Sequence, residues 1–118
     1  MRNFQDLSIW AKSHSLTLKI YSATQSFPKE EIFGLVSQMR RSSSSIATNI
    51  AEGCGRNSGP DFKRFLIIAT GSSSELEYQL ILSRDLKYLS ESNFKELSND
   101  VIEIRKMIYS FMKNMLSN

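Results

Sequence analysis

Apolar residues recur along this chain at alternating steps of three and four, the spacing that lines one face of an α-helix. The cleanest run is Phe94, Leu97, Val101, Ile104, Ile108, Phe111 and Met115. A second run comprises Phe62, Phe65, Leu66, Ala69, Ser73, Leu76 and Leu80, and a third Ile32, Leu35, Met39, Ser43, Ile46 and Ile50. Nearest the start, Leu7, Trp10, Ala11, His14, Leu18 and Tyr21 share a helical face. No segment sustains the period-two alternation of a half-buried strand. Breaks fall between these runs. Phe27-Pro28 disfavours helix at Phe27 and lets Pro28 open the next one. In the stretch from Gly53 to Pro60, Gly53 suits a left-handed cap and Ser58 or Gly59 suits the start of a helix at Pro60. Asn93 and Glu96 have the spacing of a capping box. The pattern predicts an all-α fold, an antiparallel up-down-up-down four-helix bundle with helices over about 5–26, 29–53, 60–90 and 93–116.

Serine is abundant, with twenty residues, and two of its clusters fall inside predicted helices. Ser42 to Ser45 lies midway along the second helix, and Gly71 to Ser74 midway along the third. A connection centred near position 56 or 57 sets residues opposite when their numbers sum to about 113. Ser42 then faces Gly71, the small side chains let the backbones approach, and inward hydroxyls bond to the carbonyl one turn earlier. The second helix also carries a polar stripe of Gln38, Arg41, Ser45, Asn49 and Glu52. The same register predicts two charge pairs, Glu52 with Arg64 and Arg41 with Glu75, with Gln38 and Asn49 between them. Such a network either fixes helix register or forms a ligand or partner site; the sequence leaves both open.

Composition narrows the function. The 118 residues suffice for one domain spanning the chain, 1–118, and its 41% hydrophobic and 23% charged content is that of a folded soluble protein. One cysteine, Cys54, excludes an intramolecular disulfide. With no apolar run near the roughly 20 residues of a membrane span and no signal-peptide core, no membrane partner is expected and the location is expected to be cytoplasmic. The single histidine, His14, lies on an apolar stripe and reads as a core or boundary residue. One Cys and one His cannot build a zinc site, and no Glu-x-x-His repeat is present, so neither metal nor cofactor is expected. A Cys54–His14 nucleophilic pair has no third group to orient it, so an enzyme is not expected.

The net charge of +3 is spread along the chain rather than gathered in a tail. It permits nucleic-acid binding without demanding it. The candidate phosphate contacts are Arg56, Lys63 and Arg64 near the start of the third helix, Arg40 on the second, and Lys12 and Lys19 on the first.

The order of motifs resembles a known family. Phe4-Gln5-Asp6-Leu7 with Trp10 opens it, followed by Tyr21, Phe27-Pro28 and Glu30 or Glu31. Then come Phe33-Gly34-Leu35, Gln38-Met39-Arg40-Arg41, and Ser45-Ile46 leading to Asn49-Ile50-Ala51-Glu52-Gly53. Arg56, Phe62, Phe65-Leu66, Ala69, Gly71-Ser72 and Glu75-Leu76-Glu77 complete the match. These residues resemble the four-helix-bundle proteins encoded in intervening sequences of bacterial 23S ribosomal RNA genes. The resemblance implies a homopentamer around a central channel, with ribosomal or other structured RNA as the expected partner and no enzymatic activity. A related pentameric group serves as accessory protein to the reverse transcriptases of diversity-generating retroelements, which implies the alternative role of a protein-interaction scaffold. Five subunits at +3 give a particle of about +15, enough to turn a spread charge into a phosphate-binding surface. The spare apolar residues Ile9, Leu16 and Ile20, with Ile102, Met107 and Met112, serve either a subunit interface or a wider core.

Overall fold

The computed structural model describes residues 3–116 and contains four long helices around one apolar core. They are α1 (Ser8–Thr24), α2 (Ser37–Cys54), α3 (Gly59–Asp85) and α4 (Glu91–Leu116). Each helix packs against its neighbours in the chain, and α4 returns to pack against α1. The particle measures 46 × 23 × 20 Å, its long axis close to the roughly 40 Å expected of the 27-residue α3.

The α2, α3 and α4 stripes point inward as their spacing predicts, except for Ile32, which lies before α2 and is 49% exposed. Met39, Ile46, Ile50, Leu66, Leu76, Leu80, Val101, Ile104 and Ile108 are fully buried. In α1 the other stripe faces the core. Ile9, Ser13, Leu16, Ile20 and Thr24 are buried, while His14 is exposed and Leu18 and Tyr21 are 58% and 43% exposed. Both faces have helical spacing. The face that goes inside is the aliphatic one, whose two small hydroxyls can return their protons to the helix backbone. Of the expected stripe, Leu7 and Trp10 pack at the edge of the core while His14 stays in water. Thus Ile9, Leu16 and Ile20 widen the core, joined by Met112 and by Met107 at its edge.

Several boundaries differ from the pattern. Phe4–Asp6 is a separate 3₁₀ turn capped by the Asn3 side chain, so α1 starts at Ser8. Residues 29–36 form a 3₁₀ turn and then a kinked turn instead of the first turns of α2. The cause is Gly34, whose φ of −108° and ψ of −111° are non-helical. α3 stops at Asp85 because Lys87 is left-handed (φ 67°), with the Tyr88 N–H on the Ser83 carbonyl and the Lys87 N–H on that of Arg84. This is the two-bond pattern of a Schellman ending. Ser90 caps α4 by accepting from the Asn93 N–H at 3.1 Å, the role the sequence pattern gave to Asn93. Ser58 caps α3 as expected.

Gly53 is helical and not a left-handed cap. Its missing side chain serves packing: a Cβ there lies 2.6 Å from Phe62 Cδ1 and 3.1 Å from Phe65 Cβ. Gly71, expected opposite Ser42, is exposed with nothing within 4 Å of a built Cβ. Ser42 instead donates to Gln79 Oε1 (2.7 Å), and the Ser45 and Ser72 hydroxyls meet at 2.9 Å. The numbers of these partners sum to 121 and 117, a turn or more beyond the register set by the loop midpoint. Inward hydroxyls do bond back along their own helices: Ser13 to Ile9, Ser43 to Arg40, Ser73 to Thr70 and Ser83 to Gln79.

Candidate nucleic-acid interface

Two of the candidate cations converge where α2 gives way to α3. The connection is tight because the Gly55 and Arg56 N–H groups close onto the carbonyls of Glu52 and Gly53. The Arg56 guanidinium then lies over the Phe65 ring, 4.5 Å from its centroid, and Arg64 lies 4.6 Å from the same centroid. Cation–π attraction holds each guanidinium against the ring, and Arg64 also donates its Nε–H to Asp61 Oδ1 at 3.1 Å. Both side chains remain open to water, at 45% and 60% exposure. Between them Asp61, in the first turn of α3, sits 3.0 Å from Arg64 and 3.9 Å from Arg56. Its carboxylate occupies the position at the helix start where the dipole favours an anion. With Asn57 these residues line an open depression of about 550 Å³. Two guanidiniums against one carboxylate leave a net positive, donor-rich surface suited to phosphate oxygens.

The other candidates lie elsewhere. Lys63 is on another side of α3, beside Gly59, Pro60 and Met115. Arg40 is sixteen residues before Arg56, roughly 24 Å along a helix. It lies over the Tyr21 ring at 4.6 Å and donates to the Thr24 hydroxyl (3.0 Å) and the Tyr21 carbonyl (3.3 Å), closing the end of α1. Lys12 is paired with Glu103, and Lys19 with Asp100 (2.8 Å) and Glu96 (3.5 Å). The hydrogen bond to Asp100 is the main cause holding the Lys19 ammonium above its usual pKa. Both lysines therefore strap α1 to α4.

Residues 5–110 match the 23S rRNA-intervening sequence proteins. The chain belongs to that family. It also resembles the crystal structure of a protein from the S23 ribosomal protein family of Bacteroides thetaiotaomicron, described there as of unknown function. The two are 30% identical, with a TM-score of 0.80 over 89% of this chain and 98% of the other. No curated protein matches the chain. No helix among the described residues is long and apolar enough to cross a membrane.

In this intervening-sequence protein the run from Asn49 to Gly53 divides its work. Ile50 is fully buried and Gly53 admits Phe62, whereas Asn49 donates to the Ser45 carbonyl and hydroxyl within α2. The two expected cross-helix charge pairs do not form. Arg64 is drawn to Asp61, one turn away on its own helix, and Glu75 accepts from Gln79 at 3.4 Å. Gln38, Arg41 and Glu52 are exposed, and neither Arg41 nor Glu52 makes an ion pair among the described residues. The shift in helix register is the physical reason. The half-buried ion pair that does form joins Arg105 to Glu77 (2.7 Å), with Arg105 also 3.4 Å from the Ser73 hydroxyl. Its only signal in the sequence is a cation between the core residues Ile104 and Ile108.

Proposed function

We propose that this protein is a non-enzymatic, cytoplasmic RNA-binding module, an antiparallel bundle that works as a homopentamer and holds structured RNA, ribosomal RNA included, at the α2–α3 end. The observation that carries the reading is the meeting of Arg56 and Arg64 on the Phe65 ring, two exposed guanidiniums beside a helix start. Family membership supports the ribosomal RNA connection. His14, exposed on α1, and Cys54, buried in the core, sit in different surroundings, consistent with a role that needs no nucleophile and base.

The test is RNA affinity across a salt series, with the Arg56→Ala/Arg64→Ala double variant beside the wild type. Phosphate contacts give a negative slope of log affinity on log salt, and removing two cations reduces it by about 1 to 2 per binding site. An unchanged slope in the double variant, at unchanged helicity, refutes the site. A second reading, a protein-interaction scaffold of the reverse-transcriptase accessory kind, is favoured by a different observation: Phe33 is 96% exposed. Absence of RNA binding at low salt would select it.

A further inference from the structure

Phe33 stands where the chain has committed a structural device to holding it in water. Glu31 clamps the turn before α2 with both carboxylate oxygens, one accepting from the Leu35 N–H at 3.2 Å and the other from the Tyr88 hydroxyl at 3.1 Å. A Cβ on Gly34 would approach the first of those oxygens to 3.0 Å, so the glycine makes room for the clamp. Leu35 and Val36 are buried on the far side. Between these anchors the kinked turn projects Phe33, 96% exposed, with Ile32 beside it at 49%. An exposed benzyl group forgoes the burial that a folded chain ordinarily gives an aromatic ring. Beside it stands Arg41, exposed and without an ion-pair partner among the described residues.

Farther along the same two helices is a cleft of about 350 Å³ between α1 and α2. One wall is the Trp10 ring with the His14 imidazole stacked on it, 5.0 Å between centroids and 8° between planes. The opposite side is cut back to Ala47 and Ala51, and Glu52 stands on the rim, exposed and likewise unpaired among the described residues. The cleft has the size of a small ligand site and suits one aromatic ring. Phe33 cannot fill it within its own chain, because Ala47 and Ala51 lie roughly 15 to 25 Å away along α2.

We propose that Phe33 of one chain seats in the Trp10–Ala51 cleft of a second copy, with Arg41 set against Glu52 across the contact. The proposal rests on the self-association proposed above and names the surfaces that make it. A protruding aromatic, a recess of its size and an unpaired cation and anion placed one at each are all present on the same chain. Repeated from copy to copy the contact runs head-to-tail and generates a ring or an open filament; exchanged reciprocally between two copies it gives a two-fold pair.

The test uses Phe33→Ala, which removes the knob from an exposed position, and Ala51→Phe, which fills the socket. Sedimentation velocity of the full chain gives an oligomer for the wild type and a dissociation constant raised at least tenfold for each variant alone. An equimolar mixture of the two retains one intact knob and one intact socket, so it forms one-to-one pairs and nothing larger. Trp10, the single tryptophan, reports occupancy: its emission shifts to the blue on assembly and back to the red in Phe33→Ala. If Ala51→Phe loses helicity, the charge variants replace it, with Arg41→Glu weakening assembly and added Glu52→Arg restoring it. A wild-type oligomer unchanged by Phe33→Ala overturns the knob and leaves self-association standing. A wild type that stays monomeric overturns both.

Discussion

Replacing a helical glycine by alanine should have opposite effects at two places in this protein. At Gly71 the change adds a methyl group to an exposed position with no atom within 4 Å, so helix propensity decides the outcome. Alanine is favoured over glycine in a helix interior by about 0.8 to 1.0 kcal/mol, and Gly71→Ala should stabilise by an amount of that order. At Gly53 the same preference is opposed by a collision. The new Cβ would lie 2.6 Å from Phe62 Cδ1 and 3.1 Å from Phe65 Cβ. Neither neighbour yields readily: the Phe62 ring packs on Phe111 with centroids 5.7 Å apart, and the Phe65 Cβ moves only with its backbone. Overpacking of this kind costs typically 1 to 3 kcal/mol. The net for Gly53→Ala is a loss of up to about 2 kcal/mol, leaving the two variants separated by roughly 2 kcal/mol within a range of about 1 to 3. At a urea m-value near 2 kcal/mol/M that is a midpoint difference of about 1 M, measured at one fixed protein concentration because assembly shifts apparent stability. Adding Phe62→Leu should recover part of the Gly53→Ala loss, since the two sites share one contact. A Gly53→Ala midpoint at or above the wild type would refute the close approach of α2 and α3 at this glycine.

Two further substitutions probe polar contacts. Ser42→Ala deprives the buried Gln79 carbonyl oxygen of the Ser42 hydroxyl and should cost about 1 to 3 kcal/mol, while Ser44→Ala, whose exposed hydroxyl only returns to the Arg41 carbonyl, should be nearly neutral in urea midpoint. Desolvation, and then the bond to the Glu31 carboxylate, hold the Tyr88 phenol above its ordinary pKa. The unfolded chain therefore ionises first as the medium becomes alkaline; the stability from Tyr88 is complete below about pH 10 and is lost as pH rises through the elevated value. Urea midpoints across the alkaline range should fall less steeply in Tyr88→Phe than in the wild type, and equal slopes would contradict the partly buried phenol–carboxylate contact.

How legible the structure is from sequence depends on how many solutions each segment allows. α3 and α4 have one dominant apolar stripe each, and Phe62 through Leu80 and Leu97 through Ile108 fall where periodicity puts them. α1 has two stripes of equal spacing, and only packing against α2 and α4 selects Ile9, Leu16 and Ile20 over Trp10, His14 and Tyr21. The register between α2 and α3 depends on where α2 ends and which small residue admits a neighbour. Gly53 and Gly71 are indistinguishable on that count until Phe62 is in place. The Glu31 clamp was hidden for a similar reason, since its second partner, Tyr88, is 57 residues away. In the candidate site, Arg56 and Arg64 are readable as basic residues near a helix start. Their common stacking on Phe65 and their sharing of Asp61 are three-dimensional facts, and they change the local charge from two to about one.

That residual charge bears on how the proposed function would work. One subunit offers two guanidiniums partly neutralised by Asp61, a site able to hold one phosphate weakly. Lys12 and Lys19 add little to it, because each is engaged with carboxylates of α4. Useful affinity for RNA therefore requires several such sites presented together, and linked weak sites gain far more than any one of them supplies. The Trp10 cleft and the Arg56–Arg64 depression are lined by different residues, with Glu52 on the rim of the cleft one turn before the Gly55–Arg56 connection. In the proposed assembly a ring would repeat the site around its rim, and that repetition is what would make the modest charge of the single chain compatible with RNA binding.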